Sequence, residues 1–260
     1  MKKMAVLIVS AILIFALGCD NESNEQSTKS KYLNKKIDNV NYSSIPDSVL
    51  MLYQNYAGIL AVREMMLDPK LYESVIEIPS EIKNLFFNSL CQVYNANYLT
   101  AHNIVINGYK IGVFPNPETN NFLIEVDTSE AWVNSLIINH NFSGNTSFDS
   151  LTRQYKLNYS NYYNFAGFNG FSFSSENQLN LHPLFNTLKG INGIKNVYAN
   201  SAMGDGSNIT AEVLNDYVQL VYSYGFGDCP SGCIYRHYWM FRVYYDGVVE
   251  YMYEWGDPIN

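Results

Sequence analysis

The run from Ser223 to Val243 constrains this chain more than any other stretch. It reads Ser-Tyr-Gly-Phe-Gly-Asp-Cys-Pro-Ser-Gly-Cys-Ile-Tyr-Arg-His-Tyr-Trp-Met-Phe-Arg-Val. Three glycines, a proline and two cysteines sit between two aromatic runs whose apolar residues alternate. Alternation with period two is the mark of a half-buried strand. The spacing therefore predicts a strand, a tight Cys-x3-Cys loop and a return strand. On the return strand His237 and Trp239 share one face, and Arg236 and Tyr238 share the other.

The same pattern extends over Gly204 to Asn260. Strands are expected at 208–213, 217–225, 234–245 and 248–255, with turns at Asn215-Asp216 and Asp246-Gly247. They make a small antiparallel meander, expected to pack on or continue the α/β sandwich that precedes it.

The N-terminus is of a different kind. Met1-Lys2-Lys3 is a short positive segment, and 5–17 is apolar except for Ser10. This is the form of a secretory signal peptide and is too short to span a bilayer. Its end, Ala16-Leu17-Gly18-Cys19, resembles the lipobox of bacterial lipoproteins, with Ala16 where leucine is usual. The resemblance implies that Cys19 is lipidated and becomes the first residue of the mature chain. Ala16 and Gly18 also suit an ordinary signal-peptidase site, which would give plain secretion. Asp20 to Ser30 is polar and acidic, so residues 20–43 are expected to be a flexible tether. The acidic residues after Cys19 resemble surface-export signals of Bacteroidota lipoproteins. No second long apolar run follows, so the lipid would be the membrane anchor.

The formal charge of −8 becomes −10 once Lys2 and Lys3 leave with the signal. No basic run survives beyond 29–36, which argues against nucleic acid as a partner. Roughly 220 residues remain to fold, enough for one large domain or two small ones.

From Ser44 a cap, an early proline and Asp47 announce a helix. Val49, Leu52, Tyr53, Tyr56, Leu60 and Leu67 keep helical spacing as far as Asp68-Pro69. A second helix is expected over 80–95, with Cys91 beside its apolar face as a buried free thiol. Asn107-Gly108 between apolar runs predicts a hairpin within 103–114. The loop 115–121 then closes an N-terminal helical region, 44–121. Residues 122–203 run strand 122–126, helix 147–155, strand 156–165, strand 171–174, helix 179–189, strand 194–200. That order is a split βαβ, or ferredoxin-like, sandwich. The fold class is therefore α+β: N-terminal helices, a ferredoxin-like sandwich over 122–203 and an antiparallel β meander over 204–260.

Two resemblances bear on these segments. Phe122-Leu-Ile-Glu-Val and the run from Leu184 through Gly190-Ile191 to Val197-Tyr198-Ala199-Asn200 resemble the propeptide domain of subtilisin-type serine proteases. The Glu-Pro of that domain's closing signature is missing, and no protease domain follows. The resemblance covers roughly 80 residues and implies fold more than activity. The lipobox, the two N-terminal helices and Gly-Phe-Gly-Asp-Cys-Pro-Ser-Gly-Cys together resemble an uncharacterised family of Bacteroidota secreted proteins and lipoproteins, with Phe226 where tryptophan is usual. This second resemblance implies location and fold and transfers no activity.

The candidate chemistry is sparse. Cys229, Cys233 and His237, with Asp228 or His182 added, would make a zinc site. The ordinary reading is a Cys229–Cys233 disulfide closing a tight loop in an exported protein. Asp228, His237 and Trp239 are candidate ligand contacts, the last two by stacking, although a tryptophan so placed is more often a core plug, with His237 at its rim. Gly204-Asp205-Gly206-Ser207-Asn208 resembles part of a calcium loop but lacks the alternating acids and terminal glutamate an EF-hand needs. Gly-x-Ser-x-Gly and His-Glu-x-x-His are absent. His102, His140, His182 and His237 are scattered, and no phosphate loop or cofactor motif occurs. No catalytic residue, cofactor or metal ligand is assigned. The expectation is a non-catalytic, lipid-anchored binding or interaction module at the cell surface or outer membrane; its sharper form has the sandwich bind a protease or peptide edge-on, by strand addition. The alternative is a secreted hydrolase or metal enzyme centred on Asp228, Cys229, Cys233 and His237.

Overall fold

The computed structural model describes residues 31, 32, 34–140 and 142–259. Cys19 and the signal segment lie outside the described residues. Helices α1 (Asp47–Met65), α2 (Pro69–Ser74) and α3 (Ser80–Asn95) come first. Strand β1 (Asn121–Val126), helices α4 (Ala131–Asn139) and α5 (Thr146–Gln154) and strands β2 (Leu157–Phe165) and β3 (Phe168–Ser175) follow. Next come helix α6 (Leu181–Lys189) and strand β4 (Ile194–Ala199). Strands β5 (Asn208–Val213), β6 (Tyr217–Phe226), β7 (Tyr235–Tyr244) and β8 (Val249–Gly256) end the chain.

Two antiparallel four-stranded sheets result. The first has the order β2-β3-β1-β4, which is the split βαβ arrangement, and the second is the meander β5-β6-β7-β8. In the meander Val218, Leu220 and Tyr222 stand opposite Val243, Phe241 and Trp239 on the inner face, all fully buried.

That inner face does not meet the split βαβ. It packs on the N-terminal helices, so one core joins both ends of the chain. Tyr53, Leu60, Phe86, Leu90 and Val93 lie with Leu220, Tyr222, Trp239 and Phe241. A second core, built on Phe122, Phe148, Phe171, Leu184 and Val197, belongs wholly to 122–197. The meander was expected on the sandwich; its partner is instead the all-round apolar half of α1 and the apolar stripe of α3. The split βαβ is thus an insertion in a helix–meander module.

Local departures have local causes. Pro46, not Ser44, is the N-cap of α1, and no side chain caps that end. The helix stops at Met65 because Asp68 starts α2, accepting from the N–H of Lys70 (3.1 Å) and Leu71 (3.3 Å) with Pro69 in the first turn. The expected hairpin at 103–114 is a π-helix, Asn103–Gly108, with Tyr109 N–H donating to Ile104 O at 2.8 Å. Val105 is buried there, so packing overrides the Asn-Gly signal. Helix α4 was not anticipated; it brings Trp132, Val133 and Leu136 into the second core.

The last part of the expected tether is docked. Tyr32 and Ile37 are buried, and the Tyr32 hydroxyl donates to Glu64 at 2.8 Å. Asp38 N–H donates to Tyr245 O at 2.9 Å, and Gln92 Nε2 donates to Asp38 O at 2.9 Å. All this crowds the 246–247 turn. Gly247 has φ 94°, and a Cβ there would collide with Asp38 O and Gln92 Nε2.

Candidate functional site

Two places bear on function, and sequence reasoning singled out the first. The first is the β6–β7 end of the meander. Cys229 and Cys233 form a disulfide across a short 3-10 turn, Cys229–Ser231. Gly225 lies against it, and a Cβ on Gly225 would meet the Cys233 sulfur.

Arg236 organises the surroundings. Its Nη2 donates to Asp205 at 2.6 Å, and its Nη1 donates to Gly206 O (2.8 Å) and Ser223 Oγ (3.0 Å). The guanidinium hydrogen bond lowers the Asp205 carboxyl below its ordinary pKa. Asp205 N–H in turn donates to Cys229 O at 3.0 Å. The segment that resembled a calcium loop is therefore an ion-paired staple, its one acid already engaged by arginine. Asp257 closes the other side, accepting from Arg236 N–H at 2.8 Å.

His237 is 9% exposed. Its Nδ1 faces the Asp257 carbonyl at 2.7 Å, so that nitrogen carries the proton and donates. Nε2 is buried without a hydrogen-bond partner, with Glu254 4.0 Å away. An imidazole held this way is oriented as a base would be, yet its free nitrogen has no path to a substrate. Trp239 is fully buried, 4.7 Å from the His237 ring. Trp239 is therefore the core plug with His237 at its rim, and the alternative of an exposed His237–Trp239 stacking face is not met. Asp228 remains exposed. His182 lies on α6, stacked on Tyr72 at 4.8 Å. Among the described residues, no group of three or more His, Cys, Asp or Glu is arranged to hold a metal ion. Cys91 is buried, and desolvation pushes its thiol up to about 12, the opposite of an activated nucleophile.

The second place is the outer edge of the split βαβ sheet. Three of the four sheet edges are blunted in the usual ways. Strand β4 carries Lys195, β8 carries Glu250 and Glu254, and β5 carries Glu212. Strand β5 is also covered, because Arg63 Nη1 donates to Ile209 O at 3.1 Å. Strand β2 differs. Its nine residues, Leu-Asn-Tyr-Ser-Asn-Tyr-Tyr-Asn-Phe, include no charge and no proline.

Among the described residues, the β2 ladder pairs only with β3. Its connection to β3 is the two-residue turn Ala166-Gly167, with φ 48° and 85°, the signs of a type I′ hairpin. In such a hairpin the flanking pair, Phe165 and Phe168, is hydrogen-bonded. The alternation then turns the main-chain groups of Asn164 and Tyr162 outward. Exposed aromatics flank them: Phe165 is 61% and Tyr163 38% exposed. A register shift between Tyr159 and Asn161 ends the regular stretch.

Sequence reasoning placed β2 but missed its edge position, which depends on strand order. Among the described residues no helix is long and apolar enough to cross a membrane. Comparisons with protein-family models, with characterised proteins and with solved structures find no match.

Proposed function

We propose that this chain is an exported binding protein of the bacterial cell envelope, anchored through a lipid on Cys19, that captures an extended peptide by adding it as a fifth strand beside β2. The observation that carries the reading is the uncharged, proline-free edge of β2 with Tyr163 and Phe165 exposed beside it. A protein that leaves one such edge open while blunting the others offers main-chain hydrogen bonds for affinity and aromatic side chains for selectivity. The resemblance of 122–200 to a protease propeptide supports a peptide-binding or protease-binding partner. The lipobox and the polar segment after it support the envelope location.

The test is binding to a panel of subtilisin-type proteases and to extended peptides, read by inhibition and by amide shifts along β2. Asn164→Lys puts a charge on the edge, and Asn164→Pro removes an outward N–H while leaving the β3 ladder intact. Both variants are expected to abolish binding without lowering the melting temperature of the chain. Absence of any protease inhibition at micromolar concentration would remove the protease as partner. Peptide binding that survives both variants would remove the β2 edge itself.

A further inference from the structure

A cleft of about 770 Å³ opens between the two cores. One wall is the helical module, with Gln54 and Asn55 on α1 and Lys83 on α3. The other is the end of the split βαβ sheet where β1 begins and β3 ends, with Asn120, Asn121, Asn177 and Gln178. Side-chain amides thus line both walls, with those of Gln54 and Asn177 making no hydrogen bond among the described residues. Gln178 is set firmly: its Nε2 donates to Asn55 O (2.8 Å), Asn55 Oδ1 (2.9 Å) and Thr119 Oγ1 (3.2 Å). Gly58 lies beneath it, and a Cβ there would displace the Gln178 amide. Tyr155 adds an aromatic ring, its hydroxyl accepting from Gln154 at 3.1 Å.

The charges in this cleft are unequal in status. Glu176 is engaged by Lys156 at 3.3 Å. Glu77 is exposed, with its charge felt at Tyr155. Lys83 is half-buried, and no ion pair among the described residues includes it. Burial pushes the pKa of its ammonium down, the sign of a charge that has lost water without gaining a partner.

We infer that this cleft binds a sugar acid: hydroxyls met by amides of both walls, and one carboxylate met by Lys83. Each hydroxyl both donates and accepts, and a primary amide presents both functions in one plane, so Gln54 on one wall and Asn177 on the other can meet two hydroxyls of a polyol. The single unpartnered cation matches one negative charge. A phosphate would call for a second cation or a cradle of N–H groups, and Glu77 at the rim opposes a dianion. An apolar peptide finds little here, because the lining offers only Ile78, Leu179 and the Tyr155 ring as apolar contacts. The position between two separately built cores is where ligand sites commonly form. The inference does not rest on the β2 edge, since none of the β2 residues lines the cleft.

The experiment is calorimetric titration of the full chain, in a polyoxyethylene detergent that carries no sugar, with a galacturonate trisaccharide. The neutral galactose trisaccharide and acetate serve as separate probes. The acidic sugar is expected to bind and acetate not to, with the neutral sugar about tenfold weaker or more, the scale of one charge-assisted hydrogen bond. Lys83→Met is expected to erase the difference between the two sugars, and Lys83→Arg to restore it; thermal melts establish that both variants fold. Equal binding of the two sugars by the unaltered chain would overturn the inference. So would an unchanged preference in Lys83→Met, or no heat with either sugar up to about 10 mM, beyond the weak end of the affinity scale.

Discussion

Arg63 is a polar side chain outside the hydrophobic cores whose loss should cost this fold measurably. It projects from α1 into the place where the chain leaves the helical module and returns to it. Its Nε and Nη2 donate to Asn116 O at 2.9 and 2.7 Å, and Nη2 also donates to Phe114 O at 2.8 Å. Its Nη1 donates to Ile209 O at 3.1 Å and Asn208 Oδ1 at 3.2 Å. No carboxylate is among these acceptors, and burial lowers the guanidinium pKa from its ordinary value. Replacing Arg63 by methionine keeps the stem but orphans the part-buried carbonyl of Ile209, worth about 1–3 kcal/mol, while Phe114 O keeps the Asn116 N–H at 2.8 Å and loses only its second donor. Asn116 O is exposed and recovers water, and the cost of holding a buried charge disappears, which offsets part of the loss. The balance is about 1–2 kcal/mol, or about 2–8 °C in melting temperature for a domain of this size. Arg63→Lys reaches at most a few of these acceptors from a single point and should lose most of the same amount. Urea melts followed by circular dichroism measure the loss, and hydrogen exchange should show it first in β5. A change below about 0.5 kcal/mol in Arg63→Met, the range of an ordinary surface substitution, would refute the reasoning.

Three smaller perturbations follow from single residues. Ala166 occupies the left-handed region at φ 48°, which an L side chain adopts at a cost; Ala166→Asn should raise stability by about 0.5–1 kcal/mol in urea melts and leave β2–β3 unchanged. The Cys91 thiol, buried and raised to about 12, should resist iodoacetamide at pH 8 in the native chain and react at once in denaturant. The Asp205 carboxyl is lowered in the folded chain, chiefly by its hydrogen bond to Arg236. Its contribution is therefore full above the unfolded value near about 3.9 and is lost as pH falls through the folded value. Acid melts of Asp205→Asn should lack that component; an identical acid profile would deny the pair any part in stability.

What could be read from the sequence was whatever rests on local periodicity. The four meander strands follow from period-two alternation, and α3 from a stripe containing Ile82, Leu85, Phe86, Leu90 and Val93. The Cys229–Cys233 pairing rests on reading the chain as exported, since the spacing alone also allows zinc. The order of strands and helices over 122–200 was enough to give the split βαβ, and the sheet order agrees with it. Helix α4 escaped because it is short, has no side-chain cap at Glu130, and ends on His140 at φ 62° rather than on glycine. Residues 32–43 looked like tether because Tyr32 and Ile37 are isolated apolar residues in a polar stretch, and only tertiary docking makes them core. The partner of the meander was illegible for a deeper reason. An apolar strand face states that it is buried and says nothing about what buries it. The exposed β2 edge and the amide cleft share that property: each is a consequence of topology, assembled from residues tens to more than a hundred positions apart.

The same topology makes a demand that can be tested directly. If the split βαβ is an insertion, the chain must leave and re-enter the helix–meander module at neighbouring points. It does: Phe114 N–H donates to Asn208 Oδ1 at 2.8 Å, the Phe114 ring lies within about 4 Å of where a Cβ on Gly206 would sit, and Arg63 binds both sides. Replacing residues 118–203 by a short Gly-Ser linker should therefore leave the first core complete, because no residue of that core comes from the excised segment. The excision removes peripheral interactions: the hydrogen bonds from Asn180 Nδ2 to Tyr72 O and Val75 O, those from Gln178 to Asn55, and the stacking of His182 on Tyr72. They hold α2 and the cleft wall, so some destabilisation is expected, about 1–3 kcal/mol for the carbonyls and amides released. The shortened chain should still unfold cooperatively, with Trp239 buried and Cys91 unreactive. A non-cooperative melt, or a Cys91 that reacts freely, would mean that the inserted sheet is needed to hold the module together and that the two cores are one folding unit.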